Sequence, residues 1–188
     1  GSVDEVIVAA REEDILEISQ LCRTYGLTKC TKVIRGGENR VHSVLLAALE
    51  ASPEMELLAV QDGARPLVTP ELVDRVVFAA ARCSAAAPAV AVKDTMKSVR
   101  EDGGVEETLD RGRLRAVQTP QVFEASLLKA ALQSALEQEA PVTDDASAVE
   151  RLGKGGFLVE GEEENLKITT PMDMILAEAI VKAREEGR

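Results

Sequence analysis

Apolar residues form two kinds of pattern along this chain, and the two kinds alternate. Short continuous apolar runs predict β-strands over residues 3–10, 31–34, 55–60, 87–92 and 156–161. Apolar residues at three-to-four spacing predict helices over residues 12–25, 41–49, 70–83 and 124–137. Strands that alternate with helices are typical of an α/β protein, whose helices cover both faces of a sheet. We therefore expect a single three-layer α/β domain over residues 1–188, with a mainly parallel sheet.

The strand predicted over 55–60 leads directly into the sequence QDGARP. Its apolar content predicts a strand that is buried on both faces of the sheet, and Thr69 with Pro70 predicts the start of the next helix. Asp62 would then lie at the carboxyl edge of the sheet, where open α/β folds bind their ligands. Asp62 and Arg65 could hold a metal-chelated polyphosphate, or they could form a structural pair that closes a tight turn.

A pair of glycines, Gly36 and Gly37, separates the second predicted strand from the second predicted helix. Backbone N–H groups at such a helix start can bind an anion or a base edge, although a tight strand-to-helix turn is the more common reason for such a pair. His42, the only histidine, follows in the first turns of that helix. We expect it to be a surface or supporting residue, because the sequence contains no Ser/His/Asp arrangement.

Residues 94–116 are expected to form a long β-hairpin arm. Alternating residues lead to a polar tip that contains Gly103 and Gly104, after which the chain returns. A two-stranded hairpin has too little core to be stable alone. The arm is therefore expected to pack against a second subunit.

Two later segments carry candidate charged groups. Asp144 and Asp145 lie at the start of a short predicted helix, where the helix dipole favours acidic residues in any case. These two residues alone therefore do not indicate a metal site. Lys167 lies between apolar neighbours just before a helix that begins with Thr170 and Pro171, and this placement indicates a fixed cation.

The composition of the chain limits the classes of partner that this protein is expected to bind and the compartment in which it is expected to work. The net charge of −11 argues against nucleic acid, because binding to a phosphate backbone needs a basic face. The three cysteines are odd in number and lack the spacing of a metal site, which favours reduced thiols and a cytoplasmic location. The sequence has no apolar run of about 18 residues that could span a bilayer, and no signal peptide is expected.

Six short motifs occur in succession along the chain, and their order is more specific for a protein family than any single motif. They are GGxxRxxS, DGARP, KDTMK, QTPQVF, TDDASA and ENLKITTP, which begin at residues 36, 62, 93, 118, 143 and 164. In this order they resemble the 2-C-methyl-D-erythritol 4-phosphate cytidylyltransferase family, over essentially the whole chain. The resemblance implies a Rossmann-like nucleotidyltransferase fold, transfer of CMP from CTP to methylerythritol phosphate, Mg²⁺ as the cofactor and a homodimer built through the arm.

The resemblance also implies nucleotide and metal contacts. Gly37, Glu38 and Ser43 match the segment that contacts the cytosine and ribose of CTP in the family. Asp62 matches the acidic residue that holds Mg²⁺ with the triphosphate. Gly63 and Ala64 are its neighbours in the nucleotide site.

Acceptor contacts are implied in the same way. Arg65 and Thr143 match residues near the substrate, and Lys167 matches a basic residue that anchors the substrate phosphate. Thr95 and Arg111 match arm residues that reach methylerythritol phosphate across the dimer interface. Asp62, Arg111 and Lys167 are therefore the expected catalytic residues.

The sequence departs from the family pattern at its beginning. The family opens with a strand and a glycine-rich loop that wraps the CTP triphosphate, and this segment does not precede Val3. If the protein lacks that segment, the resemblance implies an inactive polypeptide, because much of the triphosphate charge would be uncompensated. One alternative is the related ribitol 5-phosphate cytidylyltransferase, although DGARP and TDDASA fit it less well. A second alternative is a non-catalytic module for dimerisation or nucleotide binding.

Overall fold

The computed structural model describes residues 1–187. Its strands are β1 Val6–Ala10, β2 Cys30–Arg35, β3 Leu57–Val60, β4 Ala85–Ala91, β5 Lys97–Val99, β6 Val105–Thr108, β7 Arg115–Val117, β8 Gln121–Glu124 and β9 Phe157–Glu160. Its α-helices are α1 Ile15–Thr24, α2 Arg40–Glu50, α3 Pro70–Cys83, α4 Ala125–Glu137, α5 Asp145–Arg151 and α6 Pro171–Glu185. The strands and helices predicted from periodicity are confirmed, with their ends displaced by a few residues.

Strand direction differs from the prediction. β1 pairs with β2 and β4 pairs with β9 in parallel, but β8 runs antiparallel to both β3 and β4, and β7 runs antiparallel to β4. The mainly parallel sheet is therefore not confirmed. The reason is the connection after β4, which contains the hairpin β5–β6 and no crossover helix. Without a crossover the returning strands lie antiparallel to the strand that they follow.

The α/β layering is built on the alternation of side chains across the sheet. On β8, Val122 packs on one face with α3, whereas Phe123 packs on the other face with α4 and α5. Ala86 and Ala85 of β4 divide between the two faces in the same way, as the period of two in a strand requires. Helices therefore cover both faces of this sheet, and the three-layer α/β fold is confirmed.

β3 is less buried than its sequence predicts. Its side chains are half-buried at Leu57, Leu58 and Val60, and Ala59 is exposed. Both faces are nevertheless covered, because Leu57 packs against the cluster with α3 and Leu58 and Val60 pack against the cluster with α4. The prediction of a strand buried on both faces is therefore only partly confirmed, since no side chain of β3 is fully buried. The helix start that follows is confirmed, since Thr69 caps α3 by accepting a hydrogen bond from the Leu72 N–H at 3.1 Å.

The segment predicted as an arm contains the antiparallel hairpin β5–β6. Arg100 and Gly104 close its tip through a backbone hydrogen bond of 2.9 Å, and Gly103 has a positive φ of 83°, which glycine adopts without strain. All four residues of β6 are exposed. Neither strand pairs with any other described strand.

Candidate active site

A cleft of about 260 Å³ lies beyond the carboxyl end of β3, at the edge of the sheet where α/β folds bind ligands. Five segments form its walls: the turn after β3, the start of α2, the connection between β7 and β8 with the adjoining strand ends, the start of α5 and the residues before α6. Its lining residues are Arg40, Asp62, Arg65, Val117, Gln118, Thr119, Gln121, Thr143, Asp144 and Lys167. The side chains that line it are mostly charged or polar, as a site for a phosphate-bearing ligand requires.

Asp62 is the central carboxylate of this cleft. Its backbone N–H donates a hydrogen bond to Thr119 Oγ1 at 3.1 Å, which ties the turn after β3 to the β7–β8 connection. The carboxylate has two cationic partners, because Lys167 Nζ lies 2.8 Å from Oδ2 and Arg40 Nη2 lies 3.3 Å from Oδ1. Its side chain is only 16% exposed. Asp62 is thus held between two positive charges at the floor of the cleft.

The ionisation of Asp62 follows from these contacts. Burial by itself would raise the pKa of Asp62, but the hydrogen bond from Lys167 and the charges of Arg40 and Lys167 outweigh it. The net effect is a pKa below the ordinary value for an aspartate. Asp62 is therefore ionised at neutral pH, as a metal-binding or phosphate-orienting carboxylate must be.

The position of Lys167 is fixed from the opposite side of the cleft. The N–H of the next residue, Ile168, donates to the Ala64 carbonyl at 2.8 Å, which joins the segment before α6 to the turn after β3. α6 then begins with a capping box between Thr170 and Asp173. The predicted fixed cation is therefore found next to Asp62, where two well-anchored segments meet.

Arg65 lines the same cleft without pairing to a carboxylate. Its Nη1 donates to the Asn165 carbonyl at 2.6 Å, and its buried Nε has no hydrogen-bond partner among residues 1–187. Burial lowers the pKa of Arg65, with Asp62 acting in the opposite direction. Asp62 pairs with Lys167 and Arg40 instead of Arg65, so the structural Asp–Arg pair considered from the sequence is not what closes this turn.

Arg40 and Asp145 were not predicted as site residues. Arg40 binds Asp145 through two hydrogen bonds, Nη1 to Oδ1 at 3.0 Å and Nη2 to Oδ2 at 2.7 Å, while also contacting Asp62. The Asp145 side chain is completely buried, and this burial raises its pKa although Arg40 lowers it. The two residues are 105 positions apart in the chain, so no local pattern could indicate the pair.

The start of α5 is held in place by neighbouring polar groups. Asp144 caps α5 and accepts a hydrogen bond from the Gln121 amide at 2.7 Å. Gln121 Oε1 accepts the Ala146 N–H at 2.9 Å, which leaves the buried Gln121 bonded at both ends. Thr143 lines the cleft just before this helix. The predicted substrate contact Thr143 therefore lines the same cleft as Lys167 and Asp62.

The predicted nucleotide segment around Gly37 lies beside the cleft and outside its lining. The Gly37 N–H donates to Ser43 Oγ at 3.0 Å, and the Glu38 N–H donates to His42 Nδ1 at 3.4 Å. A Cβ on Gly37 would lie 2.3 Å from His42 Cγ, so only glycine fits this approach. These contacts describe a tight turn into α2, whose first residue, Arg40, does line the cleft. The nucleotide contacts of Gly37, Glu38 and Ser43 remain predictions.

The remaining predicted residues lie in the turn after β3 or on the hairpin segment. Ala64 joins the cleft walls through its carbonyl, and Gly63 is exposed beside it. Thr95 and Arg111 are exposed on the hairpin segment and outside the cleft lining. Arg111 Nη1 donates to the Lys93 carbonyl at 2.5 Å. Within one chain, therefore, Asp62, Arg65, Thr143 and Lys167 come together and the two arm residues do not join them.

Comparison with known proteins shows which family contains this chain. The family model described as 2-C-methyl-D-erythritol 4-phosphate cytidylyltransferase matches residues 1–183. The chain belongs to this family. The resemblance inferred from the six motifs is therefore confirmed, and so is the nucleotidyltransferase fold that it implied.

Individual members support the assignment along nearly the whole chain. The 2-C-methyl-D-erythritol 4-phosphate cytidylyltransferase of Halalkalibacterium halodurans is 43% identical over 180 residues, which cover 96% of this chain and 78% of that protein. The solved structure of 4-diphosphocytidyl-2C-methyl-D-erythritol synthase from Anaerococcus prevotii is 31% identical with a TM-score of 0.87, covering 95% of this chain and 79% of that one. The family enzyme of Thermus thermophilus is 40% identical with a TM-score of 0.73, covering 80% of this chain and 73% of that one.

Within residues 1–187, no helix combines the length and the apolar composition needed to span a membrane.

Proposed function

We propose that this protein transfers the cytidylyl group of CTP to 2-C-methyl-D-erythritol 4-phosphate, giving 4-diphosphocytidyl-2-C-methyl-D-erythritol and pyrophosphate for isoprenoid synthesis. The observation that carries the proposal is the family match over residues 1–183, and the relatives named for this acceptor are more than 40% identical. The cleft supports it independently, because three cationic side chains, Arg40, Arg65 and Lys167, surround the ionised Asp62.

The reaction needs alignment and charge compensation more than it needs a base. A phosphate oxygen of the acceptor attacks the α-phosphorus of CTP, and the bond from that phosphorus to the pyrophosphate leaving group breaks. The second pKa of a phosphate monoester is about 6, so the nucleophile is already an anion at neutral pH. In this proposal Lys167 and Arg65 bind phosphate oxygens and stabilise the charge that spreads over them in the transition state. His42 has no role in this proposal, since it lies outside the lining of the cleft.

The donor set of the cleft fits a Mg²⁺ ion that is shared with the substrate phosphates. Mg²⁺ is commonly bound by one or two carboxylates together with phosphate oxygens, and Asp62 supplies one ionised carboxylate. Within residues 1–187 no group of three or more His, Cys, Asp and Glu side chains could hold a metal alone. When bound, the ion would neutralise phosphate charge. We assign Asp62 as its protein ligand.

A homodimer formed through the hairpin segment is part of the same proposal. The apolar side chains of Met96, Val99 and Val105 are exposed on this segment, at 41%, 61% and 55%. Burying them against a second subunit would stabilise a hairpin that has little core of its own. Thr95 and Arg111 on the same segment would then contact the acceptor in the partner's cleft. A cytoplasmic location also stays a prediction.

Replacing Arg111 with alanine is expected to raise the KM for the acceptor about tenfold to a hundredfold while kcat for saturating substrate changes little. A charge-assisted hydrogen bond to phosphate contributes about 1.5–3 kcal/mol, and in this proposal Arg111 binds the acceptor and not the α-phosphoryl group of CTP. Steady-state kinetics with varied acceptor measure the effect. Arg113→Ala, in the same short turn, is the matched control. An unchanged acceptor KM in Arg111→Ala would contradict a role for the arm in the site.

Substrate choice tests the proposed function directly. The full-length protein is incubated with CTP, Mg²⁺ and either methylerythritol phosphate or ribitol 5-phosphate, and pyrophosphate release is measured. We expect turnover with methylerythritol phosphate and little with ribitol 5-phosphate. Equal or better use of ribitol 5-phosphate would replace our assignment with the related enzyme. No turnover with either acceptor would favour a nucleotide-binding or dimerisation module.

A further inference from the structure

Two of the three cysteines lie side by side beneath an exposed turn. Cys22 is in the second half of α1 and Cys30 is the first residue of β2, and their Sγ atoms are 3.3 Å apart. Both thiols are partly accessible, whereas Cys83 is exposed at the end of α3. The arrangement brings two oxidisable groups into contact at a place that the proposed catalysis does not use.

Hydrogen bonds within the turn fix this arrangement. The Leu27 N–H donates to the Cys22 carbonyl at 2.8 Å, and the Cys30 N–H donates to the Leu27 carbonyl at 3.0 Å. Gly26 has a positive φ of 63°, the conformation that commonly ends a helix. Each cysteine is thereby held by regular structure or by the turn itself, and the short distance between the sulfurs does not depend on a flexible segment.

We propose that Cys22 and Cys30 are a modification site that forms a reversible intramolecular disulfide, with a low-molecular-weight disulfide as the oxidant. In the first step the Cys22 thiolate attacks one sulfur of the oxidant, which gives a mixed disulfide and releases one small thiol. In the second step Cys30 loses its proton to water and attacks Cys22 Sγ, which releases the second small thiol. The protein dithiol loses two electrons and two protons, and the oxidant becomes two thiols.

The environment of Cys30 supports this order of steps. Burial, together with the neighbouring Cys22, raises the pKa of Cys30 to about 11, so Cys30 is a protonated thiol at neutral pH. Thiolates, and not thiols, are the attacking species in disulfide exchange. Cys30 therefore acts second, when the mixed disulfide on Cys22 presents a sulfur within its reach.

The test is oxidation of the native protein with oxidised glutathione. The reduced chain has three cysteines, and Cys22 and Cys30 are expected to lose their free thiols together, while exposed Cys83 stays free or carries glutathione. Apart from any glutathione on Cys83, the intact mass should decrease by the two lost hydrogen atoms. Trypsin cuts after Arg23 and Lys29, which lie between the two cysteines, so the Cys22 and Cys30 peptides should be recovered joined to each other. Dithiothreitol should separate them.

Single-cysteine variants provide the controls. Cys83→Ser is expected to lose two free thiols as the wild type does, whereas Cys22→Ser and Cys30→Ser should yield no joined peptide. Cys22→Ala replaces Cys22→Ser if the serine variant does not fold. Retention of all three thiols in the wild type would overturn the proposal. Stable glutathione adducts on Cys22 or Cys30 without a joined peptide would overturn it too, as would a disulfide that joins Cys83 to Cys22 or Cys30.

Discussion

Asp62→Asn is expected to lower kcat/KM for cytidylyl transfer by about a thousandfold or more. Asparagine keeps the shape of the side chain but removes the negative charge, and with it the carboxylate that would hold Mg²⁺ against the phosphates. The loss of one preorganised electrostatic contact in an active site typically costs a factor of about 10² to 10³, and here Asp62 also aligns the cations Arg40 and Lys167. Steady-state kinetics at saturating Mg²⁺ measure the loss.

The same substitution should leave the fold nearly as stable as the wild type. Ion pairs of partly exposed Lys and Arg side chains contribute about 0–1 kcal/mol, so the free energy of unfolding should fall by about that amount. Because the pKa of Asp62 is lowered in the folded state, its contribution is present above the unfolded-state pKa and is lost as the pH falls through the folded value. Urea unfolding at neutral and acidic pH should therefore show a difference at neutral pH that disappears in acid.

Asp4→Asn is the matched control, because Asp4 is an exposed aspartate outside the cleft. It removes one negative charge without touching the site, and activity close to wild type is expected. Wild-type turnover in Asp62→Asn would contradict the proposed metal role of Asp62. A variant that fails to fold would show instead that Asp62 is needed for the structure.

Local signals predicted the parts of the site that lie next to strand and helix ends. Asp62 follows an apolar strand, and Lys167 precedes a helix with a Thr-Pro start, so a few neighbouring residues suffice to place each of them. Their contact at 2.8 Å confirms that both segments end at the same edge. The capping residues Thr69 and Thr170 were predictable for the same reason, because a cap depends on residues within one turn.

Long-range pairings were not predictable from such signals. The short segment that forms β8 fits a strand of either direction, and only the connection through the hairpin makes it antiparallel to β4. Similarly, Arg40 has the appearance of an ordinary first-turn residue of α2, and Asp145 that of an ordinary acidic residue at a helix start. Their contact depends on how α2 and α5 are placed in space, which periodicity does not specify.

Arg40→Met is expected to lower the free energy of unfolding by about 3–5 kcal/mol. Removing one partner of a buried ion pair leaves the other charge without compensation, and losses of this size are typical. Asp145 is the charge concerned, since its side chain is completely buried and Arg40 supplies both of its ionic hydrogen bonds. Asp62 is affected less, because it keeps Lys167. Urea unfolding at neutral pH measures the change.

A double-mutant cycle separates two effects of Arg40→Met on stability: the unpaired charge that it leaves on Asp145 and the packing that it removes. Asp145→Asn in the Arg40→Met background should recover part of the lost stability, because the double variant no longer buries an unpaired carboxylate. Arg75→Met is the matched control: Arg75 pairs with Glu162 at 2.8 Å, but the Glu162 side chain is 27% exposed, whereas that of Asp145 is completely buried. The loss of the Arg75 pair should cost no more than about 1 kcal/mol. Equal losses of unfolding free energy in Arg40→Met and Arg75→Met would show that the pair of Arg40 with Asp145 contributes no more to stability than an exposed ion pair.

The pH dependence of the Arg40→Met variant gives an independent check of the same mechanism. Burial already raises the pKa of Asp145 in the wild type, and removing Arg40 should raise it further. A carboxyl group whose folded-state pKa is raised favours the fold below its unfolded-state pKa, near 4, and this contribution is lost as the pH rises through the folded value. The stability gap between Arg40→Met and wild type should therefore widen from about pH 4 to pH 7. A gap that is constant over this range would mean that the loss comes from packing and not from the charge of Asp145.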